Sequence, residues 1–123
     1  MSFGFFSSLG LAYEWRTPNF QISIKAAEKG AFFSSRRRHT TWIVSLLPIE
    51  KQAGEVLDFT FDARMPQHNH GMVTKAKVIK ISGLEYRVEG VRFHMPGNWL
   101  LQFLIKDKTG TTRIETPLNI DNK

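Results

Sequence analysis

Leu57-Asp58-Phe59-Thr60-Phe61-Asp62-Ala63-Arg64 puts apolar side chains on the odd positions and polar ones on the even positions. A repeat of two is the signature of an extended strand with one face in a core and the other toward solvent. The same alternation recurs on both sides of this stretch. Phe20, Ile22, Ile24 and Ala26 form one set, and Trp42, Val44 and Leu46 another. Val78 to Ile81 is a short β-branched run. Tyr86 and Val88 lead to Val91 and Phe93, which fall on the other parity, so a bulge or kink at Glu89-Gly90 is expected to return both pairs to the core. Trp99, Leu101, Phe103 and Ile105 form the cleanest strand, and Ile114, Thr116, Leu118 and Ile120 the last.

Turn-forming residues separate these runs: Gly30, Pro48 to Gly54, Pro66 to Gly71, Ser82-Gly83, Pro96-Gly97-Asn98 and Lys108-Thr109-Gly110. Pro96-Gly97-Asn98 reads as a hairpin turn. About seven strands at this spacing, without an amphipathic helix, predict an all-β fold, an antiparallel β-sandwich. Trp99, Phe61, Tyr86 and Phe103 are expected in its core.

With 123 residues the chain fits one domain, assigned to residues 20–123. Residues 1–19 stand apart as an N-terminal segment. Its apolar start lacks a charged region before Arg16. It reads either as the remnant of an export signal or anchor, or as a short strand or helix packed on the domain. The chain has no cysteine, which excludes disulfides, thiolate metal sites and thiol catalysis. It is a basic protein, with net charge +6 and a pI of about 9.9. The one basic cluster, Arg36-Arg37-Arg38-His39, reads as a solvated loop face. Basic residues are not interleaved with aromatics, so nucleic acid is not an expected partner.

Chemistry concentrates in two short segments. Three of the four histidines and three of the four methionines lie in Met65-Pro66-Gln67-His68-Asn69-His70-Gly71-Met72 and Phe93-His94-Met95-Pro96-Gly97-Asn98-Trp99. Imidazole and thioether together suit copper, as Cu(I) or Cu(II), and not hard ions. His68 and His70, two apart in an extended loop, would project to one side, with Met72 two further on. His94 and Met95 point oppositely in a regular strand, so they are not expected to share an ion there. The candidate metal ligands are therefore His68, His70, Met72, His94 and Met95. Met65 and Met95 also suit core filling. Adjacent packing of the two segments is the expectation that decides between a shared site and a plain basic β-domain. No Gly-x-Ser-x-Gly elbow or Ser-His-acid spacing is present, so an enzyme is not expected.

The motif A-x-M-P-x-H-x-H-G-M from Ala63 to Met72, followed by Y-x-V-x-G-x-x-F-x-M-x-G-x-W from Tyr86 to Trp99, resembles the YtkA-like domain family. That resemblance covers roughly residues 55 to 106. It implies a small immunoglobulin-like sandwich, exported to the periplasm or tethered to the membrane outside the cytoplasm. By analogy with small copper carriers, it implies a copper-receiving or respiratory-assembly protein as partner. His68, His70, Met72 and Met95 fall on the family pattern. His94 occupies a variable position and rests on its chemistry alone.

Overall fold

The computed structural model describes residues 3–6, 12–17, 20–28, 40–49 and 56–120. Ten strands are found among them: β1 (Phe3–Phe6), β2 (Ala12–Arg16), β3 (Phe20–Ala26), β4 (Thr40–Pro48), β5 (Asp58–Met65), β6 (His70–Gly71), β7 (Lys77–Lys80), β8 (Glu85–Val91), β9 (Gly97–Asp107) and β10 (Gly110–Ile120). Seven of these are the runs read from the sequence, six alternating and one, Val78 to Ile81, β-branched. The other three are β1, β2 and the two-residue β6. The strands form two antiparallel sheets, ordered β1-β2-β3-β4-β8-β7 and β10-β9-β5-β6. The molecule is an all-β sandwich.

Alternation becomes burial directly. Along β5 every second residue is buried, and β9 and β10 repeat the pattern. The inward faces meet in an aromatic cluster. Trp42 and Tyr86 come from the six-stranded sheet, Phe59, Phe61 and Phe103 from the four-stranded one, and Phe93 from the chain just after β8. Trp42 lies 5.0 Å from Phe61 and 6.0 Å from Phe93, and Phe59 lies 4.9 Å from Tyr86, centroid to centroid. Such pairs add about 0.5–1.5 kcal/mol each beyond the area they bury. Trp99, Phe61, Tyr86 and Phe103 are all core residues.

The bulge is present. Thr40 pairs with Val91 and Trp42 with Val88, so β8 carries one extra residue across that step. Gly90 supplies the turn with φ +77°, and Val88, Val91 and Phe93 are all buried. A second irregularity displaces Leu57. Asp58 already opposes Lys106, yet the Leu57 N–H also donates to the Lys106 carbonyl at 2.7 Å. Two residues therefore face one, Leu57 is left 54% exposed, and Val56 takes the buried position.

β2 pairs with β3 along its length, and Tyr13 is buried with its hydroxyl 2.9 Å from Thr116 Oγ1 on β10. Of the readings left open for residues 1–19, a strand packed on the domain describes 3–6 and 12–16. The Arg36–His39 cluster and Gly30 lie outside the described residues.

Pro96-Gly97-Asn98 does not close a hairpin. β8 belongs to one sheet and β9 to the other, so residues 92–96 cross between the layers. Proline and glycine mark the change of direction but not which sheet receives the chain. The hairpin proper lies at the far end of β9, where Asp107 pairs with Gly110. Asp107 Oδ1 there accepts the Thr109 N–H at 2.8 Å and the Thr109 hydroxyl at 2.6 Å.

Candidate functional site

Where β5 ends, Pro66 removes the donor that continued pairing would need, and Pro66–His68 turn as a 3-10 helix. Asn69 follows in the left-handed region at φ 53°, a conformation asparagine tolerates better than most residues. Its N–H donates to the Pro66 carbonyl at 3.3 Å. The chain then folds back as β6, pairing Met65 with His70 and Arg64 with Gly71. Directly opposed residues share a face of the sheet. Met65 faces the core at 1% exposure, so His70 is carried onto the inner side, at the sheet edge. Gly71 is constrained too, since a Cβ there would lie 3.3 Å from the Ala63 carbonyl oxygen.

The crossing from β8 to β9 arrives at the same end of the sandwich. The rings of His70 and His94 lie 5.3 Å apart, and those of His68 and His70 5.7 Å. Trp99 underlies the cluster, edge-on to His94 at 5.5 Å and to His70 at 6.4 Å. Its indole N–H donates to the Met95 carbonyl at 3.0 Å, fixing the crossing segment to β9. The two chemistry-bearing segments therefore pack side by side. Met65 contributes to that junction as a core residue, its terminal methyl 3.0 Å from where a Cβ on Gly97 would stand.

The five candidate residues are not equivalent. His68 is exposed and sits in the 3-10 turn, so its nearness to His70 comes from the Pro66–Asn69 turn and not from an extended loop. Met72 and Met95 are partly buried and pack against the core. His70 is half-buried, and its Nδ1 lies 3.2 Å from the Gly71 carbonyl oxygen. A carbonyl only accepts, so that contact places the proton on Nδ1 and leaves the Nε2 lone pair available.

His94 is half-buried as well, and its Nδ1 is a buried atom without a hydrogen-bond partner among the described residues. Burial, followed by the charges of His70 and Arg92, holds its pKa below the ordinary 6.5. The ring is thus kept neutral near pH 7, the state in which imidazole ligates. Among the described residues no group of three His, Asp or Glu side chains is arranged to hold an ion on those types alone.

Sequence reasoning overlooked two members of this end. Trp99 was read as core, which it is, but it also forms the floor under two histidines. Arg92 was not singled out, though it stands two residues before His94 and shares its side of the strand. That spacing was the available signal.

Comparison with family models, curated proteins and solved structures gave no match.

Proposed function

We propose that this protein is a non-enzymatic, copper-favouring metal-binding carrier or accessory domain, built on an immunoglobulin-like sandwich and working outside the cytoplasm. The observation that carries the reading is the His70–His94 pair, brought together from β6 and the segment crossing between the sheets, with a buried His94 Nδ1 unpartnered among the described residues. With metal–nitrogen bonds of about 2.0–2.1 Å, two imidazoles on one tetrahedral ion have ring centroids roughly 5 Å apart. The observed 5.3 Å suits that arrangement. Two imidazoles leave a site that soft sulfur completes, and Met72 and Met95 stand beside the pair in sequence. His68, exposed and stacked on His70, is the ligand that would capture or release the ion at the surface. The resemblance to YtkA-like domains supplies the partner class, a copper-receiving or respiratory-assembly protein.

A second reading has its own support. Met65 against Gly97 and the Trp99–Met95 hydrogen bond fasten the two segments without any ion. On that reading the motif is a fold lock, and the domain is a structural or protein-interaction module.

Competition titration with Cu(I) and Cu(II) separates the two. The carrier reading expects about one ion per chain, with affinity lost in His70→Ala and in His94→Ala while the fold persists. A fold lock expects no copper binding by the native protein, or affinity indifferent to both substitutions.

A further inference from the structure

Val91 and Phe93 point into the core, so Arg92 and His94 share the opposite side of the chain. Both carry buried polar atoms that no described residue satisfies, Arg92 Nε and His94 Nδ1. Neither ion pair found among the described residues involves Arg92. A guanidinium N–H can only donate, and a buried donor without an acceptor is costly. The Arg92 charge also acts on His94. An ion held at His94 would therefore sit beside a fixed positive charge, which repels it.

One kind of group answers both difficulties. An anion accepts the Nε–H bond, offsets the guanidinium, and offers an oxygen to the metal. Arg92 and His94 are both half-buried, a setting that suits a small ligand. Arginine matches carboxylate geometry better than any other side chain. We infer that the site takes its ion together with a small carboxylate-class anion, held by the Arg92 Nε–H beside His94. This rests on the metal-binding reading above, and it assigns to Arg92 the role of anion holder. Proton and electron counts do not change, since the anion binds without reaction.

The test is a Cu(II) titration of the whole chain in sodium perchlorate and in sodium formate, at equal ionic strength and fixed pH, corrected for copper–formate complexation. Formate is expected to tighten binding roughly tenfold, the scale of one charge-assisted hydrogen bond. Arg92→Gln should move the two salts in opposite directions. Affinity in perchlorate should rise above that of the native protein, because the repelling charge is gone, and the formate gain should vanish. A variant with a merely structural defect would weaken both. Arg92→Lys, which keeps the charge, should stay below Arg92→Gln in perchlorate.

Equal affinity of the native protein in the two salts overturns the inference and leaves the copper reading standing. A formate gain that survives in folded Arg92→Gln overturns the assignment to Arg92. No copper binding in either salt overturns both readings. The native-protein comparison decides the matter if Arg92→Gln does not fold, as judged by far-UV circular dichroism.

Discussion

The two ends of β9 solve the same problem in different ways. At its C-terminal end the chain reverses through Asp107–Gly110, and the turn partners one oxygen of its own carboxylate, while Asp107 Oδ2 is buried without a partner among the described residues. Asp107 Oδ1 accepts two bonds from Thr109, and Gly110 takes φ +136° in open space. At its N-terminal end the chain arrives from the other sheet. There Gly97 takes φ +125° against the Met65 methyl, and Trp99 holds Met95 while two histidine rings meet its indole edge-on. The first end is closed by residues three apart in sequence. The second is assembled from β5, β6, the crossing segment and β9. It leaves His94 Nδ1 and Arg92 Nε without partners among the described residues. Each end leaves a buried polar atom open, Asp107 Oδ2 at the turn and His94 Nδ1 with Arg92 Nε at the crossing, but only the crossing gathers such groups beside further imidazoles from distant elements, which is where a ligand would be of use.

The largest expected effect breaks the second end outright. Trp99→Ala should cost about 3–5 kcal/mol, the range for removing a large buried aromatic, and should release Met95 as well. Urea unfolding would measure it. A loss near 1 kcal/mol would mean that the indole is not the floor of the cluster.

Next comes ligand loss without loss of fold. His70→Ala should weaken copper binding at least ~10–100-fold, since even groups behind a ligand contribute that much. Its stability should stay within about 1 kcal/mol of the native value, because the ring is half-exposed. The matching change at the other end, Thr109→Ala, should lower stability by about 1 kcal/mol and leave copper affinity unchanged. If the two substitutions exchanged these effects, the contrast between the ends would be wrong.

The two glycines sharpen the comparison further. Both adopt a backbone conformation that a side chain strains, at about 1–3 kcal/mol each. Only at Gly97 would a methyl also meet a neighbour, with Met65 at 3.0 Å, whereas nothing lies within 4 Å of the same position at Gly110. Gly97→Ala should therefore be the more destabilising of the two in thermal or urea unfolding. Equal costs would show that Met65 yields freely and does not grip the crossing.

The smallest effect is in pH. His94 is held below 6.5 by burial and by the His70 and Arg92 charges. From pH 6.5 down to its folded value, the unfolded chain binds more protons, so stability falls across that window and then levels off. The Asp107 carboxyl is held below its usual 3.8 by the Thr109 hydroxyl and N–H. Its contribution is intact above 3.8 and is lost only in stronger acid. An NMR titration should find the His94 midpoint below 6.5, rising toward it in Arg92→Gln. A midpoint at or above 6.5 in the native protein would contradict the buried, neutral ring.

How much of this was legible in the sequence follows from the distance over which each feature is decided. The six alternating strands and the β-branched one, the bulge at Glu89-Gly90 and the Lys108-Thr109-Gly110 turn depend on residues a few positions apart, and all were readable. Leu57 was misplaced because a bulge at a strand entry breaks parity without leaving a glycine to mark it. Residues 12–16 were set apart because their short apolar run is compatible with several structures until β3 is present to pair with it. Pro96-Gly97 announced a turn but could not say which sheet received it. Adjacent packing of the His68–Met72 loop and the Met95–Trp99 turn was the expectation hardest to secure, since it depends on where a two-residue strand folds back. Arg92 was overlooked because a single arginine on an outward parity looks like solvent-facing charge until its burial is known.

The Tyr13–Thr116 bond joins positions 103 residues apart, from the second strand to the last. On a ribosome the tyrosine emerges long before its partner exists. Until β10 arrives, the four-stranded sheet lacks one strand and the interior between the two sheets stays partly open. Native pairings of such long sequence separation form late and slowly. The maturing chain would thus spend an interval with aromatic surface uncovered. The clasp that makes the finished domain compact also sets the moment at which it can begin to be compact.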